Sequence, residues 1–421
     1  MAALLVVGLA SLAMGGRADA AGTSGAVLQQ QPTSYTDWGI GAAMGYDPDT
    51  QQLLLYGGTA FTTVCGCNGT GGTWVWNGSD FSLVVPDGAS TFYSRLVFDA
   101  ATHQMLRTGG TMADDSTPAG TTSVWTGSSW QTLSPAHQPT PAQDDDLSAY
   151  DARTGQLILV GIGSGGVYGP ATTWTWTGAD WQQLHPSQSP PARVVGQLAY
   201  DDATGQLVLY GGSGSLGLVG DTWVWDGRTW KQRLPTTTPG PLANPAMSYD
   251  PALHALVLFG GQSQPGFASG SAATWTWTGS SWRPVTSAVG PTDVLWPTMA
   301  FDAATAQMVV MAPYRSKPDG VAHTLLLLAA PTSTSLVASG DGQPVTLTAT
   351  VAAHDVTAPG GTVRFTADGT TMKACSTVPV TRGQATCTFT TTPGSHAFRA
   401  VYSPVAGFLG SRSATVDLTV A

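Results

Sequence analysis

The sequence is poor in charge and lacks recognisable helices. Charged residues make up 10% of its 421 residues, only three of them are lysines, and the formal net charge is −10. Nucleic acids and anionic membranes bind basic surfaces, so this balance argues against both as partners. No segment has an amphipathic helical pattern, and no apolar run reaches the roughly 18 to 20 residues of a transmembrane helix. We therefore expect an all-β protein without a membrane span.

Glycine and proline are abundant by contrast, with 52 and 28 residues. Both residue types favour tight turns and interrupt helices. This composition indicates many short strands joined by loops, as is typical of exported all-β proteins.

One pattern recurs six times. An aromatic residue is followed by aspartate, a short turn and an apolar run that usually ends in glycines; the aspartates are Asp47, Asp99, Asp151, Asp201, Asp250 and Asp302. Steps of about 50 residues between units of short strands are typical of β-propeller blades. We expect each aspartate to accept backbone N–H groups in its turn and not to act in catalysis.

The fourth copy shows the unit most fully. Four strand-like pieces follow one another, with Gly211-Gly212 after the second and Trp223-Val-Trp225 within the third. Residues two apart share one face of a strand, so the paired tryptophans are predicted to fill the space between neighbouring units. Glycine pairs also occur in copies one, two and five.

The double glycine followed by spaced aromatic residues resembles the kelch-type propeller across residues 21–329. The resemblance implies a six-bladed all-β propeller. Three copies depart from the pattern: Ser123 replaces a tryptophan, Gly161-Ile-Gly163 replaces a glycine pair, and Ala312-Pro313 replaces another. Copy six lacks a fourth strand, and Ala26–Pro32 looks like one, so we expect the N-terminal strand to close the last blade.

The N-terminus is predicted to be a signal peptide, residues 1–20. Ala2 to Met14 is apolar, and Ala18-Asp-Ala20 has the small residues that signal peptidase requires. Cleavage after Ala20 would send the protein to the cell surface or the medium.

The four cysteines form two local pairs. In an oxidising compartment such pairs favour disulfides. Cys375 and Cys387 flank a predicted hairpin, and we expect a bridge between them. Cys65 and Cys67 are separated by one residue, which would strain a bridge; a loop disulfide is favoured over a redox site or a metal ligand pair.

The composition changes near residue 330, where tryptophan disappears and a Thr/Ser/Val alternation begins. Residues 330–421 contain about seven strand-like pieces, as in an immunoglobulin-like sandwich. Gly360–Phe365 and Gly394–Tyr402 resemble the bacterial Ig-like repeats of surface and secreted proteins. That resemblance implies a spacer or adhesion module without catalytic residues.

Candidate site residues were sought where the repeat varies. Six positions before each repeat aspartate, at the predicted channel mouth, the chain has Gly41, Tyr93, Asp145, Val195, Asn244 and Trp296. An aromatic face beside amide and carboxylate groups suits a sugar ring and its hydroxyls. Trp296, Tyr93, Asp145 and Asn244 are therefore candidate ligand-binding residues, and nearby Arg193 adds a basic group.

These observations favour a secreted, monomeric binding or adhesion protein without enzymatic activity, metal or cofactor. Its propeller mouth would recognise a carbohydrate or protein, and the Ig-like domain would act as spacer.

Two alternatives stay open. A copper-dependent carbohydrate oxidase resembling galactose oxidase would need two His and two Tyr ligands on one face, and only His137, His185 and His323 could approach the mouth. A lyase or hydrolase could use paired carboxylates such as Asp145 with Asp114 or Asp115.

Overall fold

The structure, a computed structural model, is all-β. It describes residues 27–31, 40–58, 72–86, 91–112, 121–139, 146–162, 166–264, 270–285, 293–305, 307–317, 320–329, 332–340, 342–353, 360–404, 408 and 410–421. The predicted signal peptide and the Cys65/Cys67 pair lie outside these ranges. Within them, two short 3₁₀ helices, Gly166–Tyr168 and Lys373–Cys375, interrupt the strands, and no helix is long and apolar enough to cross a membrane.

Residues 27–329 form six four-stranded antiparallel sheets, numbered 1 to 6 along the chain. The first strand of the chain, β1 (Val27–Gln31), belongs to sheet 6. Sheets 1 and 2 comprise β2 (Ala43–Asp47), β3 (Gln52–Tyr56), β4 (Gly72–Trp76) and β5 (Phe81–Pro86), then β6 (Thr91–Asp99), β7 (Gln104–Met112), β8 (Ser123–Trp125) and β9 (Trp130–Thr132).

The middle sheets follow the same order. Sheet 3 comprises β10 (Leu147–Asp151), β11 (Gln156–Ile162), β12 (Ala171–Trp176) and β13 (Trp181–Leu184). Sheet 4 contains β14 (Gln197–Asp201), β15 (Gln206–Tyr210), β18 (Thr222–Trp225) and β19 (Trp230–Arg233), with a small hairpin of β16 (Ser213–Gly214) and β17 (Gly217–Leu218) in its central loop.

The last two sheets differ in how they are completed. Sheet 5 comprises β20 (Ala246–Asp250), β21 (Ala255–Phe259), β22 (Thr274–Trp277) and β23 (Trp282–Val285). Sheet 6 comprises β24 (Thr298–Asp302), β25 (Gln307–Lys317) and β26 (Gly320–Ala329), and β1 pairs antiparallel with β26 as its fourth strand. This is the pairing that the sequence predicts for the N-terminal strand.

The repeat aspartates end the first strand of every sheet. Each is at most 3% exposed. Asp47, Asp151 and Asp250 each accept two backbone N–H groups of the following turn, as from Ala252 to Asp250 at 2.7 Å. The predicted structural role is confirmed for these turns, because the carboxylates replace water as acceptors for the turning backbone.

Apolar side chains fill the boundaries between successive sheets. Separate buried clusters join sheets 1 and 2, 2 and 3, 3 and 4, 4 and 5, and 5 and 6, and one joins sheet 6 to sheet 1. In the last of these, Trp74 and Trp76 pack with Ala300, Val309 and Met311. The first strand of each sheet contacts the first strand of the next, and β24 contacts β2.

Sheet 2 shows how one departure from the repeat is accommodated. Ser123 takes the place of a tryptophan, and its cross-strand neighbour is Arg107 instead of a leucine. The Arg107 guanidinium carbon lies 4.5 Å from the ring centroid of Tyr56 and 5.4 Å from that of Trp130, and Nη2 donates to Ser123 Oγ at 3.1 Å. A stacked arginine thus replaces the missing indole.

The C-terminal region has two antiparallel sheets around one core. The first contains β27 (Thr332–Ser339), β28 (Val345–Ala353) and β32 (Gln384–Phe389); the second contains β29 (Gly361–Ala367), β30 (Thr370–Thr371), β31 (Val378–Pro379), β33 (Gly394–Pro404), β34 (Ser411–Arg412) and β35 (Val416–Val420). Val345, Phe365 and Phe398 are fully buried between them. The predicted Cys375–Cys387 disulfide is present, with 6.0 Å between the Cα atoms.

Candidate functional site

A central cavity lies at the N-terminal ends of the first strands of sheets 1 to 6. It encloses about 110 Å³ and takes lining residues from all six sheets. Three residues predicted from the sequence, Tyr93, Asn244 and Trp296, line it together with Gly41. Asp145 lies outside the described residues.

The ring positions share one backbone conformation. Gly41, Tyr93, Val195, Asn244 and Trp296 all have positive φ, between 45° and 74°. Such values are uncommon for residues other than glycine and are strained for bulky or β-branched side chains. The same left-handed conformation therefore occurs just before the first strand in sheets 1, 4, 5 and 6 and within β6 in sheet 2, whatever side chain is present.

Backbone hydrogen bonds explain why this conformation recurs. The Tyr93 N–H donates to the Gly41 carbonyl at 2.9 Å, and the Asn244 N–H donates to the Val195 carbonyl at 2.7 Å. Each bond joins neighbouring sheets at the cavity rim. Because the backbone makes these contacts, the side chains at the ring positions can vary without loss of the rim.

Two of the aromatic candidates contact each other. The ring centroids of Tyr93 and Trp296 are 5.3 Å apart at an interplanar angle of 51°. They belong to sheets 2 and 6, and Gly41 of sheet 1 stands between these sheets without a side chain to separate them. The Trp296 indole N–H donates to Gln262 Oε1 at 2.7 Å, which fixes the indole at one side of the rim.

Polar groups line the cavity below the rim. Arg95 on β6 and Gln197 on β14 occupy equivalent positions of their repeats, where sheets 1, 3, 5 and 6 have Ala43, Leu147, Ala246 and Thr298. Arg95 Nη2 also donates to the Gly196 carbonyl at 3.4 Å. Neither residue was predicted from the sequence, although the differences among the repeats at this position are a signal for both.

A buried carboxyl group lies close to Arg95. Asp146 is 7% exposed, and its Oδ1 atom has no hydrogen-bond partner. Burial raises the pKa of Asp146 to about 7, and the charge of Arg95 opposes that rise. A Cβ atom at Gly161 would lie 2.8 Å from Asp146 Oδ1. Asp146 thus fills the space that a side chain at position 161 would need, which accounts for a glycine there.

Arg193 is placed differently from the other candidates. Its side chain is 1% exposed and pairs with Asp221, with Nη2 donating to Oδ2 at 3.0 Å. Nη1 also donates to the Gly211 carbonyl at 3.2 Å. The contacts of Arg193 join the loop before sheet 4 to the double glycine of that sheet, and Arg193 is absent from the cavity lining. Its guanidinium stabilises a loop instead of facing the cavity.

The described residues contain no group of three or more His, Cys, Asp or Glu side chains that could hold a metal ion. Exposed His137 pairs with Asp180 at 2.7 Å, and none of the described lining residues is a histidine. Asp114, Asp115, Cys65 and Cys67 lie outside the described part of the chain, as do the side-chain contacts of His323.

Comparison with known proteins identifies one region of the chain. No curated protein matches the sequence. Residues 328–421 match the family model of the bacterial Ig-like domain (group 3). The C-terminal region of this chain is therefore a bacterial Ig-like domain.

Proposed function

We propose that sheets 1 to 6 are the blades of a closed propeller of the kelch type. Support comes from the contacts between successive first strands, which include β24 with β2, and from the pairing of β1 with β26. Pairing the first and last strands of the region would leave no long unpaired edge open to other chains. The double glycines and buried tryptophans of the repeats agree with this architecture.

The function we propose is extracellular carbohydrate binding without catalysis. One observation carries it: the cavity brings an aromatic pair, Tyr93 and Trp296, together with amide groups of Asn244 and Gln197. Aromatic faces pack against the C–H surface of a sugar, while amides donate to and accept from its hydroxyls. A cavity of about 110 Å³ is small for a whole oligosaccharide, so one sugar unit would enter and the rest would lie across the rim.

The two enzymatic alternatives need different lining residues. A copper oxidase of the galactose oxidase type requires two histidines and two tyrosines, and Tyr93 is the one such side chain among the described lining residues. A carboxylate hydrolase requires two acidic groups at a defined separation. Asp146 is the described carboxyl next to the cavity, and its partner in that chemistry would have to come from outside the described residues.

We also propose that the protein is exported and that its C-terminal region is a spacer. Bacterial Ig-like domains are common in surface and extracellular proteins, and the disulfide between Cys375 and Cys387 suits an oxidising compartment. We place the protein outside the cytoplasm, with its Ig-like domain holding the binding region away from a surface.

A panel of neutral polysaccharides and oligosaccharides tests this function. We expect saturable binding that weakens about tenfold or more in Trp296→Ala and Gln197→Ala, because each substitution removes a direct contact with the sugar. Gln232→Ala, at an exposed position of the outer strand of sheet 4, is the matched control and should bind normally. Absence of neutral-glycan binding by the folded protein, or equal loss in the control, would refute the proposal.

A further inference from the structure

The Ig-like domain carries a cationic groove on the outer face of its larger sheet. Along β29, Val363 and Phe365 face the core, whereas Arg364 and Thr366 face outward. Along β33, Phe398 and Ala400 are buried while Arg399 is exposed. Three arginines, Arg364, Arg399 and Arg412, line one groove of about 370 Å³.

Strand register places the three arginines close together. Val401 on the central strand pairs with Arg364 on one side and with Arg412 on the other. Arg399 lies two residues before Val401 and pairs with Thr366. Residues directly opposite on neighbouring strands have Cβ atoms about 5 Å apart, and diagonal neighbours are about 7 to 8 Å apart. The three arginines therefore lie around Val401, which is the apolar residue between them.

These cations have few protein acceptors. Arg399 Nη2 donates to Thr415 Oγ1 at 2.7 Å. The guanidinium groups of Arg364 and Arg412 form no hydrogen bond or ion pair within the parts of the domain that the structure describes. Like charges at neighbouring sheet positions repel each other, so the arrangement destabilises the sheet unless an anion binds.

The nearby carboxylates do not neutralise the groove. Asp368 lies at one end and accepts from His396 Nδ1 at 2.8 Å and from the Ala397 N–H at 2.9 Å. These bonds hold the pKa of Asp368 below its ordinary value. Asp417 pairs across the sheet with Ala397, and no ion pair joins it to an arginine among the described residues. Asp368 lines the same groove, but its bonds to His396 and Ala397 leave the three arginines without a carboxylate partner among the described residues.

We propose that this groove binds a carboxylated polysaccharide, with the uronate carboxylates on Arg364, Arg399 and Arg412. A guanidinium pairs with a carboxylate through two parallel N–H donors. Val401 provides an apolar surface for the sugar ring, and the hydroxyls of Thr366 and Thr415 suit sugar hydroxyls. The site goes beyond the spacer role and does not depend on the central cavity.

The shape and the overall charge favour a single polysaccharide strand over other polyanions. The chain carries a formal net charge of −10, which would repel an extended nucleic-acid duplex or an anionic membrane brought against it. A single flexible polysaccharide strand can lie along the groove, where Arg364, Arg399 and Arg412 supply the cations.

Binding of the full chain to polygalacturonate, measured by titration calorimetry at low and moderate salt, tests the proposal. We expect binding that weakens as salt is added, because salt screens the exposed charges of the arginines. The double variant Arg364→Gln/Arg412→Gln should lose about fivefold in affinity, because it removes two of the three guanidinium groups that would pair with the uronate carboxylates. Lys373→Gln removes one charge from an exposed position of the same domain, outside the groove, and should bind normally.

Two further probes separate this ligand class from others. Dextran supplies sugar without carboxylates and polyglutamate supplies carboxylates without sugar; both should bind the groove more weakly than polygalacturonate. No binding to polygalacturonate, equal loss in Lys373→Gln, or equal affinity for polyglutamate would overturn the proposal. Trp296→Ala should leave this binding unchanged, so failure here is distinguishable from failure at the central cavity.

Discussion

The indole N–H of Trp230 in sheet 4 donates to the hydroxyl of Thr173 in sheet 3 at 3.0 Å, and both side chains are buried. The same bond joins Trp130 to Thr73, Trp181 to Thr122, and Trp282 to Thr222. Each pair connects the fourth strand of one sheet to the third strand of the preceding sheet or, for Thr122, to the residue just before that strand. The hydrogen bond thus fixes how two neighbouring sheets are aligned across their apolar boundary. Burial of apolar surface alone does not define one alignment.

The first prediction concerns this contact. Thr173→Val leaves the Trp230 N–H buried without an acceptor and should destabilise the protein by about 1 to 3 kcal/mol. Trp230→Phe should also destabilise it, and the double variant should cost less than the sum of the two single variants because the shared bond is lost only once. All tryptophans precede residue 297, so urea denaturation followed by tryptophan fluorescence reports on the six sheets. Strict additivity would contradict the prediction.

The second prediction concerns Arg193 and Asp221. Arg193→Met leaves a partly buried carboxylate without its partner and should cost about 3 to 5 kcal/mol. Burial raises the pKa of Asp221, but hydrogen bonds from Arg193 outweigh that effect and the pKa falls below its ordinary value.

The direction of the pH dependence follows from that shift. Because the folded-state pKa is lowered, the stabilisation is present above the pKa of the unfolded chain, near 4, and is lost as the pH falls further. The stability difference between the parent and Arg193→Met should therefore shrink below pH 4. A difference that is constant between pH 3 and pH 7, measured by urea denaturation, would contradict this assignment.

The third prediction concerns Asp146, whose pKa is raised by burial to about 7. Below pH 4 the carboxyl is protonated in both states and carries no penalty. As the pH rises, the unfolded chain ionises first, so stability falls until the folded-state pKa is passed. Asp146→Asn should thus stabilise the protein at pH 8, on the order of 2 to 4 kcal/mol, with a much smaller effect at pH 4. Thermal melts across this range test it, and an effect independent of pH would refute it.

The fourth prediction concerns β1, which pairs with β26 over five residues. A variant that lacks residues 21–37, and so begins at residue 38, should lose the fourth strand of sheet 6. Its strand β26 would then be an exposed edge. We expect a lower melting temperature and a tendency to aggregate, measured by circular dichroism and light scattering. The chain beginning at residue 21 is the control, and identical melting of the two proteins would show that the pairing contributes nothing to stability.

Much of the fold could be predicted because its signals are local. The Asp250 turn, the buried Trp225 and the Cys375–Cys387 disulfide each follow from spacing and side-chain chemistry. The hairpin of paired strands expected between the two cysteines is wrong, because β31 pairs with β29 and β32 pairs with β28 in the other sheet. The sequence shows that Ser123 replaces a tryptophan, but it does not show that Arg107 fills the place of the missing indole. That contact also needs Tyr56 and Trp130, which belong to two different sheets. Arg193 was assigned to a ligand because sequence shows its loop and not its partner Asp221.

The sequence by itself determined the repeat unit, the all-β class and the immunoglobulin-like C-terminal domain, because strand period, turn residues and composition act over short distances. Only the tertiary structure decided that Tyr93 contacts Trp296, and that Arg364, Arg399 and Arg412 share one groove. These contacts depend on how strands pair and how sheets pack, and small changes in register or sheet orientation would separate the same residues.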